Sequence, residues 1–418
     1  MYAIAFDLGT TTLAASLLDR ASGRRLALLG ALNPQRRFGA DVVSRLDAAL
    51  GEPAAASAMT TLIRTELAHL AERLLDETGV APRLVSMTAL AGNPAMQHIL
   101  MGWPVESLAR PPFRPCHTQG VTVDSAALGW RFGEQLYLFP QPGGFVGGDT
   151  VAFVAGCSSA LCTSPALYLD MGTNGEMVLD DGATLWATSA AAGPAFEGGN
   201  LRCGMPALPG AIHTVSLDGH RLLIESIGPG RPQGICGSAV IQLVALLLKE
   251  GVIDRSGRLL PPNEVGSPLA TRIITSDGET AFVLYRDAQG RLFVSQHDIR
   301  QLQLAKGAVR AGLEVLVERA RIRYDALQDL VLTGSFGAVL APDDLKTVGI
   351  FTGEMVKKCR FVPEGALAGV EKALTRSDGI QFVEQLAERF KVVPLSGTPL
   401  FEQKFLEQID FPAGLSQV

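Results

Sequence analysis

A carboxylate, a glycine and a hydroxyl recur in one short pattern at two places in the chain. The order Asp-x-Gly-Thr occupies residues 7–10 and again residues 170–173, each time after an apolar run that is typical of a buried strand. A single copy could be an ordinary hairpin whose Asp caps a turn. Two copies 163 residues apart (from 7 to 170) are separated by about one domain length. The pattern therefore predicts a duplicated architecture in which each domain opens with a strand–turn–strand unit.

A third glycine-rich turn follows the buried strand predicted at the start of DLVLTGSFGAVL, residues 329–340. Gly334, Ser335 and Phe336 lie between that strand and a predicted helix. Glycines at a strand–helix junction let backbone N–H groups and the helix N-terminus approach a phosphate or a sugar closely. This turn is therefore a candidate ligand-binding loop.

The elements that would hold these turns alternate between strand and helix, which is typical of an α/β fold. Apolar spacing predicts a helix over residues 54–78 that ends at Gly79. A strand, a glycine turn and a helix are predicted over residues 84–100. A second long helix is predicted over residues 299–319, with Asp298 as its N-cap.

Composition excludes several classes of protein. At 418 residues the chain is long enough for two or three domains, and 47% hydrophobic with 19% charged residues indicates a packed globular protein. A net charge of −6 argues against a nucleic-acid partner. The longest apolar run, residues 235–248, is too short to cross a bilayer. No charged-then-apolar leader precedes Asp7, so we expect neither a signal peptide nor a membrane partner.

The six cysteines are scattered along the chain, unlike those of a secreted disulfide scaffold, so a cytoplasmic location is expected. Cys157 and Cys162 are the pair closest in sequence. A metal or cluster site usually needs a second pair at a matching spacing, and the sequence has none. We therefore expect helix-packing thiols at these two positions and no iron–sulfur cluster in this chain.

The two hairpins and the third turn resemble the superfamily of acetate and sugar kinases, seventy-kilodalton heat-shock chaperones and actin. The resemblance implies a duplicated actin-like, ribonuclease H-like α/β ATPase with a nucleotide cleft between its halves. The halves would be residues 1–165 and 166–418, and the implied cofactors are ATP and Mg²⁺.

The same resemblance implies roles for the hairpin residues. Asp7 and Asp170 would serve Mg²⁺, and Asp170 would also polarise the attacking water. The phosphates would be surrounded by the turn residues Gly9, Thr10, Thr11 and Thr12 in the first hairpin and Gly172, Thr173 and Asn174 in the second.

Two further acidic residues have alternative roles. Asp149, in the segment FVGGDTVAFVAG between the hairpins, is the candidate for orienting the attacking water, and a helix N-cap is its alternative role. Glu197, in GPAFEGG after the second hairpin, would lie at the edge of the cleft or would cap a helix.

The predicted helix 299–319 carries Gln303, Lys306, Gly307 and Arg310 on one face. In the chaperones a helix face of that spacing lines adenosine, so the resemblance implies nucleotide contacts for the first three and for the turn at 334–336. Gly307 costs about 1 kcal/mol relative to Ala inside a helix, which indicates a close approach there. A solvated face is the alternative for Lys306 and Arg310.

Longer segments resemble one family within the superfamily, the ATP-dependent reductive activators of corrinoid proteins. These segments are GNPAMQHILMG (92–102), AAGPAFEGGNLRCGM (191–205), GICGSAVIQLVA (234–245), DIRQLQLAKGAVRAG (298–312), LTGSFG (332–337) and PLFEQKFLEQIDFP (399–412). The resemblance implies an ATPase that supports reduction of an inactive Co(II) corrinoid protein to Co(I) for methyl transfer. The implied partners are a corrinoid protein or methyltransferase subunit, bound at the surface around Gly92–Arg110, and a second copy in a homodimer.

One departure from that family concerns the electron donor. Such activators usually carry a ferredoxin-like domain with four cysteines on a [2Fe–2S] cluster, and this sequence has no such spacing. Either the implied donor is a separate low-potential ferredoxin or ferredoxin-like domain, or the sequence is a fragment that lacks its cluster domain, or its role differs from that of the family. A small-molecule kinase is an alternative, for which residues 84–116 offer His98 and Arg110 but no cluster around a base. A non-catalytic, nucleotide-dependent interaction module is the third interpretation.

Overall fold

The computed structural model describes residues 1–157, 162–334 and 340–413. Residues 1–157 form β1 (Tyr2–Leu8), β2 (Thr12–Asp19), β3 (Arg24–Leu32), α1 (Val42–Gly51), α2 (Pro53–Thr78), β4 (Val85–Gly92), α3 (Pro94–Met101), α4 (Glu106–Ala109), β5 (Val121–Asp124), β6 (Gln135–Leu138) and α5 (Gly148–Cys157). Residues 162–334 form β7 (Ala166–Met171), β8 (Gly175–Asp180), β9 (Leu185–Ala190), β10 (Ala211–Asp218), β11 (Arg221–Ser226), β12 (Gly234–Ile235), α6 (Gly237–Lys249), β13 (Ile273–Ser276), β14 (Glu279–Asp287), β15 (Gly290–Ser295), α7 (Gln296–Ala320) and β16 (Asp329–Gly334). Residues 340–413 form α8 (Pro342–Thr347), α9 (Gly353–Lys358), β17 (Cys359–Phe361), α10 (Gly365–Thr375), α11 (Gly379–Glu388), β18 (Phe390–Val392) and α12 (Pro399–Glu407). None of these helices has both the length and the apolar content that a membrane span needs.

The chain divides into two compact units. Unit 1 contains Met1–Cys162, Gly182–Ala187 and Glu364–Val393, and unit 2 contains Thr163–Asp181, Thr188–Pro363 and Pro394–Val418. The sequence-based division assigned every residue after 165 to the second domain. The structure instead places 182–187 and 364–393 in unit 1. Helix α10 packs against α5 and against β1, β2 and β4, and β18 pairs with residues 185–187.

Two glycines allow α5 and α10 to pack closely in unit 1. A Cβ atom on Gly369 of α10 would lie 1.7 Å from the backbone oxygen of Ala152 in α5, and one on Gly156 would lie 2.9 Å from the Gly369 nitrogen. On the other side of α10, Arg25 pairs with Glu371 across 2.7 Å. These contacts hold α10 against α5 and the first sheet.

The sheet of unit 1 has the strand order β3-β2-β1-β4-β6-β5. Strand β1 is antiparallel to β2 and parallel to β4. Because side chains alternate along a strand, Ile4, Phe6 and Leu8 of β1 enter the core that also contains apolar residues of α2. Helix α2 ends before Gly79, which has the left-handed conformation expected of a helix-ending glycine.

The sheet of unit 2 repeats this arrangement. Strand β7 is antiparallel to β8 and parallel to β16, and β16 is parallel to β17. The trio β8-β7-β16 therefore has the same directions as β2-β1-β4, and the predicted duplication is confirmed. Two three-stranded sheets, β11-β10-β12 and β13-β14-β15, also lie in unit 2.

Helix α7 begins one turn earlier than the spacing predicts. Ser295 is its N-cap and accepts a hydrogen bond from the Asp298 N–H, while the Asp298 carboxylate accepts one from the Ser295 N–H at 2.8 Å. The prediction of Asp298 as N-cap is therefore wrong. In such a reciprocal capping box the acidic residue occupies the third helical position.

Candidate functional site

The first hairpin turns at Gly9–Thr11, between β1 and β2. A Cβ atom on Gly9 would lie 2.6 Å from the Thr12 backbone oxygen, so only glycine fits this turn. The Asn93 side chain donates a hydrogen bond to the Thr10 hydroxyl at 2.9 Å. The turn is thus compact and has a defined hydroxyl orientation.

Strand β4 ends at the same edge of the sheet as this hairpin. Parallel pairing places Asp7 beside Ala91 and Leu8 beside Gly92. Asn93 then follows as the N-cap of α3, and its side-chain oxygen accepts from the Met96 N–H at 3.0 Å. One side chain therefore caps a helix and orients a hairpin hydroxyl.

The N-terminus of α5 joins these two elements. A Cβ atom on Gly147 would lie 2.6 Å from the Asn93 Cα and 2.8 Å from the Asp149 Oδ1. Glycine at 147 thereby lets Asp149 lie close to Asn93. Asp149 is the second residue of α5, inside the first turn and not at the N-cap, and its Oδ1 accepts the Thr150 N–H at 2.8 Å. Unit 1 thus brings together Thr10, Asn93 and Asp149.

The second hairpin turns at Gly172–Asn174, between β7 and β8. The Gly172 N–H donates to the Asn174 carbonyl at 2.9 Å. The Thr173 hydroxyl donates to Glu197 Oε2 at 2.5 Å. Glu197 ends a short 3₁₀ turn, Pro194–Glu197, whose N-cap is Gly193, so it lies beside the hairpin and is not a cap.

Gly334 lies directly beside the second carboxylate. Parallel pairing of β16 with β7 matches Thr333 with Asp170 and Gly334 with Met171. Gly334 has φ of 112°, and a Cβ atom there would lie 2.5 Å from the Met171 oxygen and 2.9 Å from Asp170 Oδ1. Gly334 therefore packs directly against Met171 and the Asp170 carboxylate, where a side chain would clash. Ser335 and Phe336, the other predicted residues of this turn, lie outside the described residues.

The polar face of α7 is covered by the C-terminal segment of the chain. Lys306 is 1% exposed, and its ammonium donates to the carbonyls of Gln408 at 2.6 Å and Asp410 at 2.5 Å. Gln303 donates to the Ile409 carbonyl at 3.2 Å. A solvated face, the alternative for Lys306, is therefore wrong.

The close approach expected at Gly307 is made by the chain itself. A Cβ atom there would lie 3.3 Å from the Phe405 ring and 3.4 Å from the Gln408 carbonyl. Arg310 is 8% exposed and pairs with Glu314, so it is not on a solvated face either. An adenosine contact by Gln303, Lys306 and Gly307 stays a prediction that requires the C-terminal segment to move.

Two family models match the chain. The one described as the C-terminal domain of RACo, the ASKHA domain, matches residues 164–417, and the RACo middle region matches residues 2–159. The chain belongs to the RACo family. Its predicted resemblance to the corrinoid activators and its predicted actin-like α/β fold are both confirmed.

Relatives of this RACo-family chain carry corrinoid functions in their names. The corrinoid activation enzyme RamQ of Eubacterium limosum is 27% identical over 414 residues, covering 97% of this chain and 70% of the relative. The [Co(II) methylated amine-specific corrinoid protein] reductase of Methanosarcina barkeri is 26% identical over 396 residues, covering 86% and 68%. A solved reductive activator for corrinoid, iron–sulfur protein matches with a TM-score of 0.85 and 29% identity, over 99% of this chain and 66% of that chain. The chain thus spans about two thirds of the length of these relatives.

Two asparagines outside the first hairpin donate hydrogen bonds to it, and the sequence patterns did not predict these contacts. Asn93 lies in the quoted segment GNPAMQHILMG, where an Asn–Pro pair before a helix already indicated an N-cap. Asn33 follows β3 and donates to the Gly9 carbonyl at 2.9 Å. Asn33 also precedes a proline and caps a short helical turn, but this signal does not indicate its contact with Gly9, which lies 24 residues earlier in the chain.

Proposed function

We propose that this chain binds Mg-ATP and hydrolyses it to support the reduction of a Co(II) corrinoid protein to Co(I). The observation that carries the proposal is the pair of glycine-containing hairpins, each preceded by an Asp on the first strand of a duplicated sheet. The names of the relatives support the corrinoid part.

The hairpins would hold the phosphates with backbone amides and hydroxyls. Mg²⁺ in nucleotide sites is usually bound by one or two carboxylates together with phosphates and waters. Asp7 and Asp170 fit that donor set, and both residues are only partly buried. Bound ATP supplies the phosphoanhydride whose hydrolysis provides free energy. Asp170 would polarise the attacking water, and Asp149 would orient it.

The expected energetic role of the chain follows from redox linkage. A protein that binds one oxidation state of its partner more tightly shifts the partner's potential by about 59 mV for each tenfold of selectivity in a one-electron step. A shift of roughly 180 mV needs about a thousandfold selectivity, or about 4 kcal/mol. Such binding would trap the Co(I) product, so ATP binding is proposed to release it.

The proposed partners are a corrinoid protein or methyltransferase subunit, a separate low-potential ferredoxin as electron donor, and a second copy of this chain. The proposed corrinoid-facing surface is the segment Gly92–Arg110, of which residues 94–100 are buried and residues 102, 104, 106, 107 and 110 are exposed. Within it Arg110 is exposed, whereas His98 is fully buried and its Nδ1 donates to the Pro104 carbonyl at 2.7 Å. A buried His98 is poorly placed to act as the base of a small-molecule kinase.

The test is an anaerobic cobalt absorbance spectrum of a Co(II) corrinoid protein mixed with this chain, Mg-ATP and a low-potential reductant. One electron passes from the reductant to each cobalt, and we expect Co(I) to form faster with both the chain and ATP present. Co(I) formation at the same rate without either would contradict the proposal. Phosphorylation of a small acceptor in its place would favour a kinase.

Asp149 should give hydrolysis a characteristic pH dependence. Burial raises the pKa of its carboxyl from 3.8 to about 6. A water-orienting carboxylate must be ionised, so we expect the rate to rise with pH through about 6 and then level off. The free energy of unfolding should depend on pH in the opposite sense. Because the pKa of Asp149 is raised in the folded state, folding favours its protonated form. The contribution of Asp149 to stability is therefore complete below about pH 4 and is lost as pH rises through about 6. The hydrolysis rate of Asp149→Asn should not rise with pH near pH 6. A rise equal to that of the wild type would show that Asp149 is not part of the proposed site.

A further inference from the structure

Asn33 holds the first hairpin from one side. Its side chain is fully buried. Its backbone N–H donates to the Thr11 carbonyl and its Nδ2 donates to the Gly9 carbonyl, both at 2.9 Å. In a trans peptide the C=O and N–H groups point in opposite directions. Since the Gly9 carbonyl faces Asn33, the Thr10 N–H points away from it.

Arg45 of α1 lies behind the same turn and is also fully buried. Its Nη1 is 3.3 Å from the Met96 sulfur, the same atom that lies 3.7 Å from Asn33 Nδ2. Its Nε donates to the Gly39 carbonyl at 3.0 Å, and Nη1 lies 3.5 Å from the Gln35 side-chain oxygen. The guanidinium therefore contacts neutral groups next to the hairpin.

Arg45 forms no ion pair within the part of the chain that the structure describes, although the Asp41 carboxylate at the N-cap of α1 partly offsets its charge. Its Nη2 has no hydrogen-bond partner there, and no carboxylate lies within ion-pair distance. A buried, unpaired cation is costly to a folded protein. Burial lowers the pKa of Arg45 to about 10, which still leaves the group positively charged at neutral pH. The positive charge thus remains available to an anion at the hairpin.

We propose that Asn33 and Arg45 are positioning residues for the phosphate groups of a nucleotide at hairpin 1. Asn33 turns the Thr10 N–H away from the protein interior, and the Arg45 cation attracts phosphate through the turn without touching it. The inference rests on the proposed ATP site, and both residues would act from the interior side of the hairpin turn, opposite the proposed phosphates.

The experiment is calorimetric titration of the full chain with Mg-ATP and with adenosine. Arg45→Met keeps the length of the side chain and removes its charge. A charge acting through one layer of side chains changes affinity by about tenfold, so we expect about tenfold weaker Mg-ATP binding and less than about twofold change for adenosine. The melting temperature should stay the same or rise, because replacing a buried unpaired charge by an apolar side chain is often stabilising. Arg45→Lys should recover most of the affinity.

Arg64→Met is the matched control. Arg64 lies on α2 in the same unit and donates to a backbone carbonyl, that of Leu100 at 2.8 Å, with no contact to the hairpin. Its removal should leave Mg-ATP binding unchanged. Asn33→Asp, which replaces the donor to Gly9 by a carboxylate oxygen, should weaken Mg-ATP binding even if Arg45→Met does not fold.

The outcomes distinguish failure of the proposed function from failure of the inference about Asn33 and Arg45. A wild-type chain that binds no Mg-ATP would overturn the proposed function. A wild-type chain that binds Mg-ATP while Arg45→Met binds it equally well, or loses ATP and adenosine affinity alike, would overturn the inference and leave the proposed function standing.

Discussion

Asp170→Asn is expected to lower ATP hydrolysis at least about a hundredfold while Mg-ATP still binds. The substitution keeps the size of the side chain and removes the charge proposed to serve Mg²⁺ and the attacking water. Loss of one electrostatic contact of this kind typically costs about a hundred- to a thousandfold in rate. Steady-state phosphate release measures the rate, and calorimetric titration measures binding.

Asp344→Asn is the matched control for that measurement. Asp344 is a half-buried carboxylate of α8 in the same unit, where it pairs with Lys249 at 3.5 Å. Its loss should leave hydrolysis nearly unchanged. Near-normal turnover by Asp170→Asn would move the proposed role to another carboxylate, with Asp149 the next to test.

Gly369→Ala is expected to destabilise unit 1 by about 3 kcal/mol or more. Helix propensity alone favours Ala over Gly by about 1 kcal/mol inside a helix such as α10. The added methyl group would lie 1.7 Å from the Ala152 backbone oxygen, so the two helices would have to separate. Urea unfolding followed by circular dichroism measures the loss.

Gly353→Ala tests whether the effect comes from packing. Gly353 is the first residue of α9, and no atom lies within 4 Å of the position of its Cβ. We expect unchanged or slightly increased stability. Equal stability of Gly369→Ala and the wild type would show that α5 and α10 do not pack this closely.

The repeated hairpins were predictable because their signal is local. An apolar run, a carboxylate and a glycine turn occupy consecutive positions at Asp7 and again at Asp170, and strand pairing then follows. Asn33 and Asn93 were not predictable in the same way. Their partners Gly9 and Thr10 lie 24 and 83 residues away, and only the folded sheet brings them together.

The polar face of α7 illustrates a second limit of prediction from the sequence. Helical periodicity correctly places Gln303 and Lys306 on one side of the helix. It does not indicate what covers that side, because a buried amine bonded to carbonyls and a ligand-binding amine give the same spacing. The distant residues Gln408 and Asp410 supply the partners here.

The return of residues 364–393 to unit 1 has a consequence for biosynthesis. A ribosome that has made residues 1–165 has not yet produced α10, whose Gly369 packs on α5 and whose Glu371 binds Ser16 and Arg25. The face of β1 that carries Ala3 and Ala5 then stays uncovered while the whole of 188–363 is translated. Unit 1 can therefore finish folding only after residues 364–393 have been made. A gene truncated after residue 165 should yield an aggregation-prone product, whereas co-expression with a separate 364–393 peptide offers a route to rescue it.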